Sequence, residues 1–210
     1  MNAAHPESHK RFWGTVIALV LFIIALALFF LRIGPVDIEL ESVFKTLLGI
    51  SSDIEFEDLI ILDIRLPRTV LALLVGIGLG MSGAALQALV KNPLAEPGIL
   101  GISSTSALGA VIVFYTGHAS HFPFALALGG LAGAFVSTIL LLLLATRRYD
   151  TVTLILAGVA INAFAGALTA LALNLSPNPF AVYEIYFWLM GSFANRSMDH
   201  VWLVRSEERR

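Results

Sequence analysis

Two arginines stand three residues apart in the run Arg65-Leu66-Pro67-Arg68, directly before a long apolar stretch. The guanidinium group keeps its positive charge and presents several N–H donors in a planar fork. Arginines at a membrane edge commonly interact with lipid headgroups, so residue type and position support a headgroup anchor. Proline is tolerated in the first turn of a helix, and Pro67 is therefore predicted to help define where the following helix begins.

Ser82 lies in Gly80-Met81-Ser82-Gly83, which matches the G-x-S-G pattern of rhomboid-type intramembrane serine proteases. A serine nucleophile needs a neighbouring base, and every histidine lies in a predicted tail or loop. We therefore predict no catalytic residue and no enzyme, with an intramembrane protease as a remote alternative. The histidines are His5, His9, His118, His121 and His200.

Several common chemistries lack the residues that they require. The chain has no cysteine, which excludes disulfides, thiolate nucleophiles and cysteine metal sites. No lysine follows a glycine, so there is no phosphate-binding loop and the chain is predicted not to bind ATP. The net charge of -2 and the lack of a basic stripe argue against nucleic acid as a partner. We expect no metal and no cofactor in this chain.

The elements that position these residues are predicted to be membrane-spanning helices. Of the 210 residues, 58% are hydrophobic and 13% are charged, a balance that requires lipid as the solvent. Five apolar segments of about 17 to 24 residues are long enough to span a bilayer. None of the five contains Asp, Glu, Lys, Arg or His, which disfavours a proton-coupled pump. The predicted spans are 12–31, 69–90, 99–115, 122–145 and 152–173, with an incomplete sixth at 201–204 between the tails 1–11 and 205–210.

Glycines four residues apart on two of these spans predict close packing between helices. The pairs are Gly76 with Gly80 and Gly129 with Gly133. The polar groups inside the spans are hydroxyls and amides, which can bond neighbouring helices or face water, and hydrogen bonds between helices are the favoured interpretation. They are Ser82, Gln87, residues 103–106, Ser137, Thr138, Thr153, Asn162 and Thr169.

The connecting segments carry weaker signals. Apolar residues at helical spacing in the acidic segment 33–63 predict a short interfacial helix. The apolar residues of the acidic segment are Val43, Phe44, Leu47 and Leu48. The connector 91–98 carries two prolines and a glycine, which predict a tight turn.

The charges of the loops bear on the orientation in the membrane. Lysine and arginine counts are equal on the two predicted sides, and the long acidic loop favours a cytoplasmic N-terminus.

Several motifs together resemble the FecCD-type permease family, the transmembrane subunits of type II ABC importers. The resemblance extends from the first span to Trp202 and covers nearly all of the chain. Its motifs occur in the same order and at similar spacings. They are 65–69, Gly76, Gly80, Ser82, Gly83, Gln87, 92–98, Leu100, Gly101, 156–160 and 188–192.

The resemblance implies an all-α polytopic fold with about ten membrane-spanning helices in a whole subunit. It also implies a bacterial inner-membrane homodimer that rests on ABC ATPase subunits, which use the ATP. A periplasmic or lipid-anchored binding protein would deliver an iron-siderophore complex, haem or cobalamin (vitamin B12). The motifs do not distinguish among these substrates. The N-terminus is expected in the cytoplasm.

The resemblance also assigns sites. It implies that Arg65 and Arg68 pair with acidic residues of the binding protein, and that Asn92, Leu94 and Thr151 form the cytoplasmic pore gate. Segment 12–204 is then expected to be a partial permease domain of about half to two-thirds of a subunit, a fragment not competent alone. A membrane accessory protein that associates with a full-length permease is the alternative. The expected packing and turn residues are Pro67, Gly76, Gly80, Gly83, Pro93, Pro97 and Gly98.

Overall fold

A computed structural model describes residues 6–50, 56–93, 95–118, 124–145, 151–176, 179–194 and 196–206. Regular secondary structure in these ranges is entirely helical, which confirms the predicted all-α class. The helices, in chain order, are α1 (Pro6–Arg32), α2 (Leu40–Leu48), α3 (Phe56–Leu59), a π-helical turn (Ile60–Arg65), α4 (Leu66–Val90), a 3-10 turn (Pro97–Leu100), α5 (Ile102–Tyr115), α6 (Ala125–Ala145), α7 (Thr151–Asn174), α8 (Pro179–Leu189) and α9 (Met198–Ser206).

Four helical segments of the described chain are long and apolar enough to cross a membrane. Their mean hydropathy lies between 2.0 and 3.0, and at most 17% of each apolar window is buried within the chain. Side chains this apolar need lipid or other helices around them. The four segments are His9–Arg32, Phe56–Val90, Ala125–Leu144 and Thr151–Asn174.

The segment predicted as the span 99–115 is shorter than expected. Gly101 has a φ of +74°, a left-handed conformation that separates the 3-10 turn from α5. The remaining helix, Ile102–Tyr115, has 14 residues and a length of about 21 Å. This is less than the hydrocarbon thickness of about 30 Å.

The helix that contains the predicted span 69–90 begins earlier than the sequence predicts. Phe56–Val90 is a single helical segment of 35 residues, so Pro67 lies inside a helix and does not mark its start. Proline lacks an N–H and its ring displaces the carbonyl four residues earlier. The preceding turn is π-helical, and the Leu66 N–H donates to the carbonyl of Ile61, five residues back. The wider turn accommodates the proline without ending the helix.

The chain divides into two compact units, of which the first is Met1–Gly76 with Phe193–Arg210. The predicted interfacial helix is present here as α2, with Val43 fully buried. Thr46, on the same helix, donates a buried hydrogen bond to the carboxylate of Asp58. On the exposed face of α2, Lys45 lies 2.8 Å from Glu41, and this hydrogen bond lowers the pKa of the Glu41 carboxyl. The core of this unit consists of Leu31, Ile38, Val43 and Ile61.

The second unit is Ile77–Ser192, and its tightest packing joins α5 to α6. A Cβ added at Gly133 would lie 2.1 Å from the carbonyl oxygen of Thr105, and one at Gly129 would lie 2.8 Å from that of Gly109. Only glycine allows these backbones to approach so closely. α8 packs on the same unit through Ile185, which joins Val111 and Leu173 in a small buried cluster.

Candidate functional site

Arg65 is the last residue of the π-helical turn, and its side chain is only 7% exposed. Its Nη1 donates to the carbonyl oxygen of Leu31 at 2.9 Å and also to that of Arg32. Its Nη2 donates to the carbonyl of Val36. The guanidinium therefore binds the C-terminal end of α1 and the connector that leads to α2.

Gly34 provides the space that the Arg65 guanidinium occupies. A Cβ added at Gly34 would lie 2.7 Å from Nη2 and 3.0 Å from Cζ of Arg65. Both distances are shorter than van der Waals contact, so any larger residue at position 34 would displace the side chain. No local pattern indicates this pairing, because the two residues are far apart in the chain.

Arg68, by contrast, has an exposed side chain. Among the described residues, none forms a hydrogen bond or an ion pair with its guanidinium. The two arginines of the motif thus differ in environment although they lie one helical turn apart. Arg68 is exposed, and Arg65 is bound within its own chain.

The candidate gate residues lie at helix ends. Lys91 adopts a left-handed φ of +52° directly after α4, and the following residue, Asn92, is exposed. The backbone N–H of Asn92 donates to the backbone carbonyl of Gln87 at 3.2 Å. The backbone carbonyl of Asn92 accepts from the N–H of Ala95 at 3.1 Å. Thr151 is the exposed first residue of α7. Leu94 lies outside the described residues.

Two motifs of the family resemblance meet where α5 begins. A Cβ at Gly158 of α7 would lie 2.7 Å from Cα of Leu100, and one at Gly101 would lie 2.7 Å from the backbone nitrogen of Asn162. Ser104, on the first turn of α5, donates to the side-chain oxygen of Asn162. These contacts fix the start of α5 on α7. The individual residues were recognised in the sequence, but their pairing was not.

The predicted turn and packing residues occupy varied places. Pro97 and Gly98 form the 3-10 turn, with Pro97 at its first position, and Pro93 is exposed in the connector after α4. Nothing lies within 4 Å of a Cβ added at Gly76, Gly80 or Gly83. The close approach predicted for these three glycines is therefore not made within the described chain.

Ser82 has no feature of an activated nucleophile. Its hydroxyl donates to the carbonyl of Leu79 at 3.0 Å, an ordinary bond within a helix. His118 contacts the hydroxyl of Thr116 at 2.9 Å, and His200 contacts that of Ser197 at 3.2 Å. Each of these contacts joins residues that are two or three positions apart in the chain.

Comparison with known proteins gives concordant matches. Vitamin B12 import system permease protein BtuC of Salmonella paratyphi A is 40% identical over 147 residues, which are 70% of this chain and 45% of the relative. The BtuC protein of Salmonella typhi matches with the same identity and coverage. A solved structure described as a metal-chelate type ABC transporter in an inward-facing conformation matches with a TM-score of 0.74 and 28% identity, covering 89% of this chain and 56% of that one.

The chain thus spans about half the length of the relatives that it matches. The model of the FecCD transport family matches residues 18–205, which is most of the sequence. The chain therefore belongs to the FecCD transport family.

Proposed function

We propose that this chain is a transmembrane permease subunit of an ATP-driven importer for iron chelates, haem or cobalamin. The observation that carries the proposal is its 40% identity to permease proteins of a vitamin B12 import system. The fold match to a metal-chelate type transporter supports the same substrate class. Substrates of this class are bulky molecules that need a wide path across the membrane.

The composition of the helices suits such a path. The four apolar segments provide a wall without fixed charge through most of the membrane thickness. Hydroxyl and amide groups, such as Ser104 of α5 and the exposed Asn162 of α7, add weak polarity. Neutral, weakly polar surfaces bind a passing ligand only weakly, which lets it leave as readily as it enters.

The proposed assembly has two permease subunits, ABC ATPase subunits that hold the ATP, and an external binding protein. Arg68 is its docking residue, since its positive charge is exposed. Asn92, Thr151 and Leu94 belong to the cytoplasmic gate, where a short turn and the start of α7 face the ATPase side. The N-terminus then lies in the cytoplasm of a bacterium, and the chain is a multi-pass inner-membrane protein.

The proposal is tested by purifying the tagged chain from its native membrane and identifying the proteins that remain bound. We expect an ABC ATPase with a phosphate-binding loop, and ATP hydrolysis only in fractions that contain it. ATP hydrolysis by the chain freed of every other subunit would contradict the proposal. If the chain is instead recovered with a full-length permease of the same family and makes no direct contact with the ATPase, the result supports an accessory role.

A further inference from the structure

We propose that the two arginines of the Arg65-Leu66-Pro67-Arg68 motif have separate roles. Arg65 is an internal clamp that holds the connector between α1 and α2, residues 33–39, against the end of α1. Arg68 is the arginine left for an anionic partner. The statement about the partner rests on the proposed permease function, whereas the clamp depends on this chain alone.

The clamp acts on the carbonyls at the end of α1. The last four carbonyl groups of a helix have no partner within the helix, and they carry the negative end of its dipole. Arg65 donates to two of them, on Leu31 and Arg32. A permanent positive charge at this position is favoured electrostatically, and it satisfies the buried carbonyl of Leu31. The carbonyl of Arg32 also accepts from the N–H of Ile38 at 3.4 Å, so it joins the guanidinium and the connector at one oxygen.

The third bond extends the clamp from the helix to the connector. Val36 lies beyond the end of α1, and its carbonyl accepts from the opposite arm of the same guanidinium. Two residues later, Ile38 is only 1% exposed and belongs to the core of this unit. The guanidinium therefore links the end of α1 to the point where the connector enters the core.

The fork geometry of arginine is needed for this role. Its separate nitrogens reach carbonyls on both sides of the group, whereas a lysine ammonium is a single point of charge. Gly34 is the second requirement, because any side chain at this position would overlap the guanidinium. To reach an external carboxylate, Arg65 would have to leave all three carbonyls. Docking through Arg68 requires no such rearrangement.

Single cysteines can report on the clamp, because the chain has no cysteine of its own. Ile38→Cys places a thiol at a buried position, and Asp37→Cys places one at the exposed neighbouring position. The full chain is labelled with N-ethylmaleimide in permeabilised membranes. With the clamp intact, we expect the thiol at position 38 to react at least about tenfold more slowly than the thiol at position 37.

Adding either Arg65→Lys or Gly34→Ala to Ile38→Cys should raise its labelling rate about tenfold, because each change opens the connector. Gly34→Ala leaves Arg65 itself in place and so remains informative if Arg65→Lys accumulates poorly. Two matched controls should leave the rate unchanged. They are Arg68→Lys and Gly14→Ala, since a Cβ at Gly14 meets nothing within 4 Å.

The clamp is wrong if the thiol at position 38 stays protected in both variants. The separation of roles is wrong if Arg68→Lys exposes that thiol as strongly as Arg65→Lys does. The labelling needs no transport partner. A failed clamp therefore leaves the permease proposal intact, and a failed permease proposal leaves the labelling result interpretable.

Discussion

The atoms around a guanidinium determine what an arginine does. Arg65 and Arg68 are identical in chemistry and lie one helical turn apart, yet one is 7% exposed and bound to three carbonyls while the other is exposed. The sequence identified both residues through one motif and gave them one role. The carbonyls that separate them come from residues about thirty positions earlier, which no local pattern reveals.

Reversing the charge of Arg68 should weaken docking of the binding protein to the assembled transporter. An exposed ion pair contributes about 1 kcal/mol or less, so Arg68→Ala should cost a few-fold in affinity and Arg68→Glu more, through repulsion. Arg68→Lys should retain affinity because it keeps the charge. The measurement is the affinity of the binding protein at several salt concentrations, since screening should weaken only the wild-type attraction.

Lys91→Glu is the matched control for this charge reversal. Lys91 is also exposed, but it follows α4 at the opposite end from Arg68. Its reversal should leave docking unchanged. Equal loss of affinity in Lys91→Glu and Arg68→Glu would show a general charge effect and contradict docking at Arg68.

At the scale of the elements, glycine decides where helices approach closely. The glycines of α6 pack on α5 with backbone contacts that any Cβ would block, whereas those of α4 face open space. Both sets have the same four-residue spacing in the sequence. Spacing alone therefore predicts the possibility of close packing, and the position of the neighbouring helix decides whether it occurs.

Gly133→Ala should destabilise the protein, and Gly80→Ala should not. The added methyl group at Gly133 would meet the Thr105 carbonyl at 2.1 Å, and overpacking of this kind costs about 1–3 kcal/mol. At Gly80 the methyl group has open space, and alanine has the higher helix propensity. Thermal unfolding of the purified variants in one detergent checks this. Equal melting temperatures for the two variants would contradict the assigned α5–α6 packing.

Long uncharged runs made the simplest helices predictable. The span predicted at 152–173 is observed as Thr151–Asn174, and the one predicted at 12–31 lies within Pro6–Arg32. The start at Phe56 was missed because acidic residues made this segment resemble a loop. One of them, Asp58, is buried and accepts a hydrogen bond from Thr46, a contact that only the tertiary structure provides.

The candidate site was predictable in part for similar reasons. The family motifs located Arg65, Arg68 and the turn after α4. These motifs did not reveal the contact of Gly34 with Arg65 or that of Gly101 with Gly158, because both contacts join distant segments. The break at Gly101 was also missed, since a glycine in an apolar run does not by itself specify a left-handed conformation.

At the scale of the whole molecule, the apolar surface dominates. Only 6% of the apolar window of His9–Arg32 is buried within the chain, and large side chains such as Phe12, Phe22 and Phe30 are more than half exposed. In the proposed importer, lipid and neighbouring helices cover this surface. The chain belongs to a transport family and spans about half the length of the relatives that it matches.

Substrate uptake by cells that lack the chain tests the permease function most directly. The gene is deleted, and uptake of labelled cobalamin, a ferric siderophore and haem is measured in cells that retain the binding protein and the ATPase. We expect uptake of one of the three to fall to background and to be restored by the wild-type gene and by Gly80→Ala. The parent strain must first be shown to carry the chain in its inner membrane. Unchanged uptake of all three substrates after the deletion would then contradict the proposed function.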